Sequence, residues 1–132
     1  MATLKIVKFG DPTLRKVARP VEEITPRIHT LLDDMTETMR AADGVGLAAP
    51  QVGVLRRVVV IDVGGPEGEK APVELVNPRI LESSGTQGGM EGCLSFPGGL
   101  AHQKNICNIL FFYKVFYKID TFVLHNRNII VF

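Results

Sequence analysis

The 132-residue chain has almost no net charge, at +1, and no run of basic residues longer than two. Arg56-Arg57 leads straight into a strand-like segment. A nucleic-acid-binding surface is therefore not expected. No stretch reaches the roughly twenty consecutive apolar residues of a membrane span. Even the apolar C-terminal segment is broken by Lys114, Lys118 and Asp120. The opening residues, Met1 to Lys8, carry no apolar run of the secretory kind, which makes the cytoplasm the default address, or an organelle matrix if a transit peptide had been removed. Two cysteines, Cys93 and Cys107, are too few for a disulfide framework, and both are read as thiols.

What is present is ordinary globular material. Hydrophobic residues make up 45% and charged residues 22%, enough for one core in one domain. Residues 1–23 are punctuated by Gly10-Asp11-Pro12 and Arg19-Pro20 and should form an extended, turning arm. Thr25-Pro26 starts a helix predicted over 25–42, with proline at the first position where its missing N–H is harmless. Ile24, Ile28, Leu31, Leu32, Met35 and Met39 recur at helical spacing and mark its core face. His29 has no second ligand-type residue one turn on, so a metal role for it is not expected. Gly44 is positioned to end the helix as a C-cap glycine.

Val58 to Ile61 is a continuous β-branched run, as in a central strand buried on both faces. A turn-rich loop over 64–68 precedes a second strand, Val73 to Glu82, whose Asn77-Pro78 implies an edge or a bend. Helical and strand patterns segregate along the chain rather than alternate, which predicts an α+β fold with one helix on a mixed or antiparallel sheet.

Two motifs stand out. Gly44-Val45-Gly46-Leu47-Ala48-Ala49-Pro50-Gln51 has the glycine spacing of a dinucleotide loop, but it follows a helix and runs into Pro50, so the strand-loop-helix context is missing. Its glycines are better suited to close backbone approach to a ligand. Glu91-Gly92-Cys93-Leu94-Ser95 follows some forty residues later. In this order and at this separation the pair resembles the first two of three signature motifs of the peptide deformylases. The likeness extends to Asp11-Pro12-x-Leu14-Arg15 and covers residues 1 to about 99.

The resemblance implies a metallohydrolase that removes formyl from the starting methionine of new proteins, with Fe²⁺ as cofactor and Zn²⁺ or Ni²⁺ as substitutes. It makes Cys93 a metal ligand and Gln51 a side-chain donor to the oxyanion. Leu94 becomes a second donor through its backbone N–H. Gly44, Val45 and Gly46 would hold the peptide in extended form, and Glu91 and Gly92 would line the same site. Thiolate and imidazole ligands suit such a metal and leave a position open for water. The implied partner is a formylated nascent peptide, with the ribosome nearby.

The third motif, His-Glu-x-x-His, is absent: the histidines are His29, His102 and His125, with no two of them four residues apart. Cys93, His102, Cys107 and His125 match no common zinc spacing. Composition also shifts after residue 100. All 13 glycines and all 8 prolines precede it, whereas both tyrosines and five of the seven phenylalanines follow it. Residues 1–99 are thus expected to form a deformylase-like domain without the catalytic C-terminal helix. Residues 100–132 are expected to be a tail outside the family, disordered or strand-like at 109–117, 121–124 and 128–132. Activity is expected to be impaired or absent. The alternatives are a non-catalytic peptide-binding remnant, or the product of a frameshifted gene with no function.

Overall fold

The computed structural model describes residues 2–62, 64, 72–78, 90–102 and 129–131. Helix α1, Pro26–Ala41, lies within a residue of its predicted ends. Pro26 stands at the first helical position; the Thr25 side chain makes no capping bond, and its carbonyl accepts from the Ile28 and His29 amides. Leu32, Met35 and Met39 are fully buried, while Ile24, Ile28 and Leu31 pack against the edge of the same cluster. Burying each such side chain is worth about 1.5–3 kcal/mol.

The helix ends differently from the expectation. Asp43, not Gly44, takes the left-handed conformation, at φ 53°. The Asp43 amide donates to the Arg40 carbonyl and the Gly44 amide to that of Met39, closing a Schellman-type end. A short polar side chain tolerates that conformation better than most. Gly44 must therefore be glycine for another reason, which the site supplies.

The principal sheet runs β1 (Gly46–Ala48), β2 (Val58–Ile61), β3 (Val73–Val76) and β6 (Ile129–Val131) in that spatial order. The first three pair antiparallel, and β6 joins β3 parallel, so the sheet is mixed. As expected, β2 is central and buries Val58, Val60 and Ile61. Val58 and Val60 meet the helix stripe together with Leu47, Ala49 and Val76, while Ile61 is buried on the opposite face. The Asn77-Pro78 signal is a bend rather than an edge, since β3 has neighbours on both sides and Asn77 turns left-handed at φ 52°. The rest of the strand expected to Glu82 lies outside the described residues, as do the strands expected at 109–117 and 121–124. A separate hairpin pairs β4 (Met90–Cys93) with β5 (Phe96–His102), with an irregularity between Gly92 and Cys93. No helix among the described residues is long and apolar enough to cross a membrane.

The N-terminal arm threads across all of this in extended form. The Leu4 amide donates to Thr38 Oγ1 at 2.8 Å, and the Thr38 hydroxyl donates in turn to the Asp34 carbonyl. Further along, Val21 exchanges two 2.7 Å bonds with the Asn77 side-chain amide, which acts as a one-residue strand edge. A single 3-10 turn, Pro12–Arg15, interrupts the arm and is capped by Asp11, whose carboxylate accepts from the Thr13 amide at 2.8 Å.

The Thr13 backbone and side-chain hydrogen bonds hold the Asp11 carboxyl below its ordinary value, with smaller help from Lys16 and Lys5. A depressed folded-state pKa contributes stability above the unfolded value and loses it as pH falls through the folded one. The cap is therefore expected to be intact at pH 5 and to open progressively below the ordinary aspartate range. Amide exchange at Thr13, compared between the native chain and Asp11→Asn, reads this directly: the native amide should be the better protected at pH 5, and the difference should vanish in acid.

Candidate functional site

Residues Ala49–Val52 form a 3-10 turn directly after β1, and Gly53 ends it at φ 79°, a conformation that glycine adopts without steric cost. The turn rotates the Gln51 side chain inward, where the residue is 6% exposed. Its Oε1 accepts from the Ala48 amide at 3.0 Å. Because only the oxygen of a side-chain amide can accept, that bond fixes which end is which. The NH₂ end is left pointing at the second motif, 3.1 Å from Ser95 Oγ and 3.9 Å from Cys93 Sγ. Two segments forty residues apart in sequence thus meet side chain to side chain.

The second motif runs from β4 into the turn of the β4–β5 hairpin, Leu94-Ser95. Cys93 ends β4 as a partly buried free thiol, Leu94 is partly buried and packs against the core cluster, and Ser95 is buried. Leu94 explains Gly44. A Cβ built on Gly44 would lie 2.5 Å from Leu94 Cδ1 and 3.2 Å from its Cγ. Gly44→Ala is accordingly expected to displace the Leu94 side chain and cost about 1–3 kcal/mol, as overpacking does. The check is a double-mutant cycle in urea: Gly44→Ala in a Leu94→Ala background should recover most of that loss, and additive losses would refute the contact.

Of the other residues singled out from sequence, Val45 is exposed and its carbonyl accepts from the Asp62 amide. Gly46 lies in β1 opposite Ile61. Because β1 is the outermost strand of its sheet, no further strand pairs with its far edge among the described residues, where the Ala48 amide is already taken by Gln51 Oε1. Gly92 is exposed beside the hairpin irregularity. Glu91 is placed by its backbone opposite Ala101, and its side chain lies outside the described residues. Ser95, quoted in the second motif but given no role, and Lys8 and Phe9, not singled out in the sequence, all touch the site. The Phe9 amide donates to the Ser95 carbonyl at 2.7 Å, and the Lys8 ammonium donates to the Leu94 carbonyl at 3.0 Å.

Among the described residues the donor set does not complete a metal centre. A catalytic zinc or iron site uses about three protein ligands. Among the described residues, no group of three His, Cys, Asp or Glu side chains is placed to hold an ion. Among the described side chains Cys93 is the single ligand-type one bonded to Gln51; His102 is described by backbone alone, and Cys107 and His125 lie outside the described residues.

An α+β body with one helix on a mixed sheet, among the described residues, is an arrangement shared with solved peptide deformylases. The fold is similar to a peptide deformylase from Thermotoga maritima, with a TM-score of 0.70 and 46% identity, covering 76% of this chain and 65% of that one. It is equally similar to a probable peptide deformylase from Synechococcus phage S-SSM7, with a TM-score of 0.71 and 41% identity, covering 76% of this chain and 69% of that one. The polypeptide deformylase family model matches residues 3–105. The chain belongs to that family. Peptide deformylases of Agathobacter rectalis and Alkaliphilus metalliredigens are 59% and 60% identical to it over 98 residues, or 74% of this chain. The chain spans about three fifths of their length, 59% and 63% respectively.

Proposed function

We propose that this chain carries the substrate-binding and oxyanion-stabilising part of a peptide deformylase, an enzyme that hydrolyses the N-formyl group of methionyl peptides. Its relatives are metal-dependent hydrolases that bear that name. The observation that supports the reading is the Gln51 amide, buried and pinned by Ala48 so that its NH₂ faces Cys93 and Ser95. A donor so held needs no reorganisation when negative charge develops on a formyl oxygen, and such donors are worth about 3–4 kcal/mol in comparable sites. The backbone N–H of Leu94 supplies the second donor in this reading. The far edge of β1 gives an extended peptide a strand to pair with, through Gly44, Val45 and Gly46. Ser95 keeps the Gln51 amide from rotating away.

Cys93 is one ligand for the family's metal, Fe²⁺ or a substitute, and on its own does not make the centre. What the present residues contribute is orientation of the formyl group and stabilisation of its oxygen. The nascent formylated peptide is the partner, met in the cytoplasm near the ribosome. Residues 1–99 form the functional unit in this reading, and the family match carries it on to residue 105.

Gln51→Glu tests the proposal with little change of shape. Glutamate still accepts from Ala48, and the Ser95 hydroxyl can turn to donate to it, but nothing remains at that position to donate to a formyl oxygen. Titration with N-formylmethionyl-alanine should show affinity about tenfold weaker, the equivalent of one lost hydrogen bond. Equal affinity in the two chains would defeat the proposal.

A further inference from the structure

We propose that Val7-Lys8-Phe9 is a strap that sets the relative placement of Gln51 and Leu94, with Lys8 as its positioning residue. Three consecutive residues of the arm each bind one of the two site segments. The Val7 amide donates to the Gln51 carbonyl at 2.7 Å, the Lys8 ammonium to the Leu94 carbonyl at 3.0 Å, and the Phe9 amide to the Ser95 carbonyl at 2.7 Å. The Phe9 ring then meets Phe96 edge to face, with centroids 5.3 Å apart.

In an extended strand the amides of residues i and i+2 point the same way, roughly 6.5 Å apart. Val7 and Phe9 therefore act as a ruler between the Gln51 and Ser95 carbonyls. From the inner side, the Gln51 amide bridges the same two residues through Ser95 Oγ. The two segments are thus tied both behind the site and within it, so neither can slide without breaking a bond on the other side.

Lys8 is the one member that binds through its side chain. Its carbonyl partner belongs to Leu94, whose side chain fills the space left by Gly44. The ammonium fixes the carbonyl face of Leu94, and the Gly44 contact fixes the side-chain face. With both fixed, the Cα–N bond of Leu94 is fixed too, and only the φ rotation is left to aim its N–H. Chain packing alone does not require a cation here: Lys8 is exposed, and among the described residues its ammonium has no carboxylate partner.

The inference rests on the formyl-binding reading, and the test separates the two. The full chain, ¹⁵N-labelled, is compared as Lys8→Met, Lys8→Arg and Gln51→Glu, with the backbone resonances of Leu94 and Ser95 and the affinity for N-formylmethionyl-alanine as readouts. Lys8→Met should shift both resonances and weaken the peptide about three- to fivefold, in line with an exposed charge-assisted contact, with the thermal midpoint unchanged. Lys8→Arg, which keeps a cationic donor, should restore both. Wild-type resonances in Lys8→Met, unaltered peptide affinity in it, or failure of Lys8→Arg to restore would each overturn the strap. If Gln51→Glu binds the peptide as the native chain does, the formyl reading fails on its own account, and the resonances alone then decide the strap.

Discussion

Supplying a His-Glu-x-x-His helix after Gly99, in place of residues 100–132, is expected to raise hydrolysis of a formyl-methionyl peptide at least about 100-fold over the chain as it stands. The expectation rests on donor count. With Cys93 the one ligand-type side chain beside Gln51 among the described residues, a divalent ion there lacks about two of the three protein ligands that a catalytic site uses. The missing glutamate also removes a proton-transfer group worth about 10²- to 10⁴-fold in rate. The assay adds Fe²⁺ or Ni²⁺ under reducing, oxygen-free conditions and includes Cys93→Ala. In the extended chain Cys93→Ala should remove both tight metal binding and turnover. Rapid turnover by the native chain, abolished by Cys93→Ala, would contradict the expectation and make His102 and His125 the first ligands to test.

Met39→Ala is expected to give the largest loss of stability from a single substitution, about 2–5 kcal/mol. Met39 is fully buried beside Leu32, Met35, Val58 and Val60. Its backbone carbonyl also receives the Gly44 amide, so a cavity there lies one hydrogen bond from the site. Val17→Ala, at a residue 89% exposed, should change stability by less than about 0.5 kcal/mol. Urea midpoints give the comparison, with an unchanged slope showing that the denatured state is unaffected. Equal midpoints for the two variants would mean that the helix stripe is not the core.

The features legible in the sequence were those set by local repetition. Six apolar residues at helical spacing and four consecutive β-branched residues each point to one element whatever surrounds them, and α1 and β2 formed where expected. The meeting of Gln51 with Cys93 was readable through family likeness, because neither motif states its partner. Gly44 shows the limit. A glycine after a helix suggests a left-handed cap, yet Asp43 takes that role, and the space at Gly44 belongs to Leu94, fifty residues on. The roles of Lys8, Asn77 and Ser95 escaped for the same reason: each acts through a partner brought near by the fold, and no spacing within the chain encodes such a partner. Asn77 was read as a break beside proline, and its amide proved to be a clamp on Val21.

The contact between Lys8 and Leu94 also has a consequence in time. The two residues are 86 positions apart. At the usual pace of synthesis, about 5–20 residues per second, roughly 4 to 17 s pass between the appearance of one and of the other. During that interval the Lys8 ammonium and the Phe9 amide have no native acceptor at the second motif, while α1 and β2, built from nearer contacts, are free to form. The buried cluster, complete at Val76, is therefore made before the site, and a chain paused before residue 94 would hold a folded helix beneath an unfinished pocket.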